Sequence, residues 1–190
     1  MGWISPHYTH GHLNDDVFES RVAVYEDQVR GWFLDQARIL ERNSNHAGFV
    51  LLLVVLSYVE GHAIFMRGED SKDRSKEFFR EGFKNVFNPT GPSTAAIDWA
   101  IDTLYSEVRC GLFHTGMTRG KVILSGAFDS PVSIEGDQTQ QDAILKINPH
   151  KMLDRIEVHL SDYVTRLRNP EEQTMRYNFD KAWKLRMRIS

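Results

Sequence analysis

The chain reads as a mostly α protein, a helical bundle with a small β-meander inserted before the last core helix. Three observations predict this class. Apolar residues recur at helical spacing over five long stretches, the period turns β-like only between residues 121 and 147, and Gly, Pro, Asn and Ser gather between the runs. At 190 residues, 41% hydrophobic and 26% charged, the chain suits one core, or one domain with a short appendage. The reading is an irregular segment over 1–14, a helical domain over 15–168 and an amphipathic tail or helix over 169–190.

The first helix is predicted over 15–43, where Phe18, Val22, Tyr25, Val29, Trp32, Phe33, Gln36 and Leu40 form one stripe broken only by Gln36. Asn14 or Asp15 is placed to cap it, and Asn43-Ser44-Asn45 turns the chain into a second helix over 46–67, giving an antiparallel hairpin. A third helix over 71–87, with Ser71 as cap, carries Phe78, Phe79, Phe83, Val86 and Phe87 on one side and charges on the other. Two prolines and a glycine in 88–94 then break the pattern. Ser93 or Thr94 starts a fourth helix to about Thr115, which Gly116 ends. Short β-type runs at 121–124, 132–134 and 143–147 make the meander. Asn148-Pro149 introduces a fifth helix over 150–168, with Met152, Leu153, Ile156, Leu160, Val164 and Leu167 inward and Pro170 as its stop. Residues 171–190 fit a short amphipathic helix using Met175, Phe179, Trp183 and Leu185.

Composition narrows the function classes. A net charge of -3 supplies no global pull toward nucleic acid, so any RNA site must rest on local positive charge. The single cysteine, Cys110, excludes an intramolecular disulfide and suits a reducing compartment. The opening residues lack the basic start and apolar run of a signal peptide, so the cytoplasm is the expected location. The apolar run 49–59 spans about a dozen residues where a bilayer needs about 20, and Glu60 and His62 follow it. It reads as part of a buried core helix, with no membrane partner.

The segment Tyr105-Ser-Glu-Val-Arg-Cys-Gly-Leu-Phe-His114 carries the most chemistry. An arginine and a histidine suffice to cut RNA: the guanidinium stabilises charge developing on a phosphodiester, and the imidazole moves the proton of the 2′-hydroxyl or of the leaving oxygen. With 15 Arg and 8 His in the chain, any one spacing arises by chance about 0.6 times, so context has to carry the argument. On an ideal helix, residues five apart lie about 140° around the axis from each other, so a shared face needs a distortion near the helix end. Gly111 eases one, and its cost in helix propensity is explained by close approach of another backbone or a phosphate.

A helical hairpin, a helix ending in Arg-Cys-Gly-Leu-Phe-His-Thr-Gly, a small β excursion and a closing helix introduced by Ile147-Asn-Pro149 together resemble the HEPN superfamily over roughly residues 15–168. Many members are metal-independent endoribonucleases whose signature is Arg, four to six residues, then His, paired at a dimer interface. The resemblance implies Arg109 and His114 as catalytic residues, RNA as substrate, a homodimer, no metal and no cofactor. At Cys110 the superfamily commonly has Asn, Asp or His. The superfamily also includes inactive scaffolds, nucleotide-binding modules, and toxins held in check by a regulatory protein partner. A non-catalytic nucleotide- or protein-binding module in defence or stress signalling is therefore the alternative.

Other residues support or surround the motif. Glu60 is an acid inside a very apolar helix and needs a partner, and the expected partner is Arg109, which Glu60 would orient. Cys110 lacks a visible base or orienting acid and reads as a small packing residue beside the site. Arg166, Arg168, Arg176, Lys181, Lys184, Arg186 and Arg188 are the clearest basic concentration. Of these, Lys181, Lys184, Arg186 and Arg188 are the candidate RNA contacts, with Tyr177 and Trp183 interleaved for base stacking. His7, His10 and His12 could ligate a metal through imidazoles, but without Cys partners they read as a tail.

Overall fold

The computed structural model describes residues 2–11, 13–14, 17–137 and 142–187. Among them, helices α1 (Phe18–Val29), α2 (Asp35–Asn43), α3 (Gly48–Arg67), α4 (Ser75–Phe87), α5 (Thr94–Thr103) and α6 (Cys110–Thr115) come first. Strands β1 (Val122–Leu124), β2 (Val132–Glu135) and β3 (Ile144–Ile147) follow, then helices α7 (Pro149–Arg168) and α8 (Gln173–Met187). Two wide π-helical turns, Arg30–Leu34 and Leu104–Arg109, fuse α1 to α2 and α5 to α6. The mostly α class holds, with one small sheet beside the helices.

Helix α3 is the hub, because an almost all-apolar helix must bury much of its surface against other elements. It packs against α4, α7, α8 and α2, and Leu51, Leu52, Val55, Leu56, Val59 and Ala63 are buried. By length and composition it is apolar enough to cross a membrane; here it lies at the centre of the bundle. Its crossing with α4 is tight: a Cβ on Gly82 would sit 2.1 Å from the Val59 carbonyl oxygen. Helix α8 belongs to the same core and buries Phe179, Ala182 and Trp183. Trp183 takes its expected place on the apolar face of α8 and is 1% exposed, because that face covers α3; it is therefore not the free base-stacking ring that its basic neighbours suggested.

Several expectations are corrected. The first helix starts at Phe18 with Val17 at its N-cap position, so Asn14 does not cap it; Asp15 lies outside the described residues. Trp32 and Phe33 leave the core stripe and are 47% and 44% exposed, while Leu34 and Ala37 are buried. The π turn takes in an extra residue and shifts the phase of the stripe that follows. Gln36 Nε2 donates to the Gly31 carbonyl within that turn at 3.0 Å. Ser71 is not a cap either, since α4 begins at Ser75. Ser93 does cap α5, its Oγ accepting from Ala96 N at 3.1 Å, and Gly116 ends α6 with φ 71°.

The sheet is not a meander. Its order is β1-β3-β2, with β1 parallel and β2 antiparallel to β3. The β1–β2 connection therefore passes the end of β3, and buried Asn148 holds it there by donating to the Gly126 and Phe128 carbonyls at 3.0 and 2.7 Å. The same side chain caps α7, accepting from His150 N and Lys151 N. A meander places consecutive strands side by side; here the Asn148 contacts draw the connection around the β3–α7 junction.

Candidate functional site

Arg109 ends the second π-helical turn, where Cys110 N–H reaches back to the Tyr105 carbonyl. Such wide turns inside α-helices occur frequently at functional sites. The Arg109 guanidinium lies over the Phe113 ring at 4.9 Å and the Tyr105 ring at 5.6 Å. Its Nη2 donates to Glu60 Oε2 on α3 at 3.0 Å, and Glu60 Oε1 accepts from Ser71 Oγ at 3.1 Å. Both carboxylate oxygens are thus satisfied, as an acid on an apolar helix requires. The pair is only partly covered, with side-chain exposures of 22% for Arg109 and 16% for Glu60. Glu60 occupies one of the five guanidinium N–H groups, and no other hydrogen bond holds Arg109 among the described residues.

His114 stands apart. The distortion ends at Arg109, and Cys110–Thr115 is ordinary α-helix, so the angular separation of about 140° between the two side chains persists. The expected distortion is present but does not turn His114 toward Arg109. His114 is exposed, beside Phe113 and Met117, which are 49% and 64% exposed. Gly111 is explained by a backbone approach: a Cβ there would lie 2.4 Å from the Met117 carbonyl oxygen, where the chain folds back after Gly116. Arg119 N–H donates to the Glu107 carbonyl at 2.9 Å and anchors that return.

A groove of about 510 Å³ opens over Arg109, lined by Glu60, Gly61, Ser71, Arg109, Phe113 and Arg186 but not by His114. Comparison with protein-family models, curated proteins and solved structures finds no match. Arg109 and Arg186 offer the groove two cations, offset by the carboxylates of Glu60 and Asp70.

The remaining expected site residues divide. Cys110 is a half-buried free thiol next to Arg109. Arg186 enters the groove, while Lys184 is held by Asp180 at 2.7 Å, Lys181 is exposed and Arg188 lies outside the described residues. Arg166, Arg168 and Arg176 are paired with Glu172, Glu26 and Glu19, so the basic concentration is largely neutralised. The histidine segment is anchored rather than packed: Ile4 and Ser5 are buried and His7 Nδ1 lies 2.7 Å from Asp27 Oδ1, but His7 and His10 are exposed, and His12 lies outside the described residues. No group of three or more metal-ligating side chains occurs among the described residues.

A polar cluster around His62 lies apart from the Arg–His motif. His62 Nε2 and His159 Nε2 share Asn85 Oδ1 at 2.7 and 3.2 Å, and Tyr58 Oη bonds His159 Nδ1 at 2.8 Å. Burial pushes the His62 imidazole down to about 4, and burial together with the neighbouring His62 pushes His159 down to about 3. His62 was visible as a polar residue on an apolar helix; its partners lie 23 and 97 positions away, beyond any local pattern.

Proposed function

We propose that the chain is a HEPN-like, metal-independent endoribonuclease that acts as a homodimer on single-stranded RNA. The observation that supports this most is the Glu60–Arg109 pair: an acid placed on the apolar central helix holds one guanidinium at the mouth of a solvent-reached groove, with most of its donors free. In the reaction, His114 removes the proton of the ribose 2′-hydroxyl, the 2′-oxygen bonds to phosphorus, and the bond to the 5′-oxygen breaks. The leaving oxygen takes a proton from a protonated imidazole, and the products are a 2′,3′-cyclic phosphate and a 5′-hydroxyl end. Arg109 stabilises the added charge on the phosphoryl oxygens. The nucleophile is the substrate's own hydroxyl, so the chemistry needs no metal. Because His114 lies away from the groove of its own chain, a second copy supplies the imidazole to each Arg109 across a two-fold axis.

A second reading has its own support. The charge of Arg109 is offset by Glu60 and His114 does not line the groove, an arrangement that also suits a non-catalytic nucleotide- or protein-binding module. End-labelled single-stranded RNA incubated with the protein in EDTA separates the two. Cleavage lost in both folded Arg109→Ala and His114→Ala variants is the expected result. Binding without cleavage across varied RNAs would favour the module.

A further inference from the structure

Beyond the Arg109 groove, a second groove of about 400 Å³ runs over α3 toward the first π-helical turn, and Trp32, Phe33, Tyr58, His62, Trp183 and Arg186 line it. The two grooves adjoin, since Ser57, Gly61 and Arg186 border both. From this arrangement we propose that the second groove binds a nucleobase of single-stranded RNA, with the strand crossing Gly61 between the two. Trp32 and Phe33 stack on the base and Arg186 holds a phosphate at the junction. This rests on the RNA reading given above and extends it to a binding subsite.

Two features converge on this occupant: an exposed aromatic pair beside Arg186, and a glycine that packing does not require. The π turn displaces two adjacent aromatic rings from the core and leaves each close to half exposed, against the tendency of large apolar side chains to bury. Exposed aromatic faces beside an arginine are the elements by which proteins hold single-stranded nucleic acid. Gly61 has open space where its Cβ would be, with no atom within 4 Å, so packing does not explain a glycine in this apolar helix. A passing strand does, since it needs close approach to the backbone.

The test is fluorescence anisotropy of the full chain with a short, fluorescein-labelled, fully 2′-O-methylated single-stranded RNA, which lacks the attacking hydroxyl and cannot be cleaved. The paired variant Trp32→Ala/Phe33→Ala should raise Kd about tenfold or more, and Trp32→Tyr should retain most of the affinity. Gly61→Gln places a good helix former at the crossing and should weaken binding at least as much without lowering Tm. Trp3→Ala, which removes an exposed tryptophan outside both grooves, should leave Kd unchanged. If the parent binds or cleaves RNA while the groove variants match it, the subsite is wrong and the RNA reading stands. If the parent neither binds nor cleaves RNA, both fall. If the aromatic variant instead abolishes a dimer seen by light scattering, with Kd for RNA unchanged, the face serves self-association and the proposal is overturned.

Discussion

Glu60 on the central helix accepts a hydrogen bond from Arg109 at 3.0 Å and so ties the most apolar helix of the bundle to the wide turn that ends at Arg109. One carboxylate both offsets the guanidinium and fixes its place at the groove mouth. On the RNA reading proposed above, these two effects have opposite consequences, which makes them separable by experiment.

Replacing Glu60 by Gln preserves shape and the Ser71 contact but removes the charge. The expected stability loss is about 1 kcal/mol by urea unfolding, because the pair is partly solvated. RNA affinity should rise and its salt dependence steepen as Arg109 loses its counter-charge. Cleavage should fall about tenfold or more, because the guanidinium is no longer positioned. A variant that loses affinity would show that the carboxylate does not offset Arg109.

The His62–His159 cluster gives a pH dependence of known sign. Both imidazoles titrate lower in the fold than the ordinary value of about 6.5, so the unfolded chain binds more protons between pH 4 and 6.5. Their contribution is fully present above pH 6.5 and is lost as pH falls. Between pH 6.5 and 5 the unfolding free energy should drop by about 3 kcal/mol, roughly half from each imidazole. Urea titrations at half-unit pH steps read the slope, and a flat profile in this window would refute the buried neutral pair.

Three helical glycines should respond differently to alanine. At Gly82 and Gly111 the new Cβ meets the carbonyl oxygens of Val59 at 2.1 Å and Met117 at 2.4 Å, both backbone atoms. Each substitution should cost about 1–3 kcal/mol. At Gly61 the space is open, and alanine should stabilise the fold by about 0.5–1 kcal/mol. Thermal unfolding of the three variants side by side checks the order.

Asn148 does two jobs that one substitution can divide. Asn148→Asp keeps the acceptor that caps α7 but cannot donate to Gly126 and Phe128, so helix content should persist while amides around β1 exchange faster. Asn148→Ala should lose both and cost about 2–3 kcal/mol. Hydrogen exchange resolved by segment distinguishes the two variants.

Much of the helical framework was legible in the chain. The stripes of α4 and α7, the Ser93 cap, the Gly116 stop and the Asn148-Pro149 start are local signals, because periodicity and capping act over a few residues. Glu60 was legible for a related reason: a charge inside an apolar run announces its need for a partner. The wide turns were not, since one extra residue leaves a helical pattern almost unchanged while moving Trp32 and Phe33 out of the core.

By itself, then, the sequence determined which segments are helical, which faces are apolar, and that an arginine and a histidine stand five positions apart. Tertiary structure alone decided that β1 lies parallel to β3, that the chain after Gly116 folds back over Gly111, and that Trp183 is buried. It also decided that Arg109 enters a groove from which His114 is absent. The physical reason is range: local propensity is written in neighbouring residues, whereas strand order, backbone approach and groove membership depend on contacts between segments far apart in the chain, whose pairing no short pattern specifies.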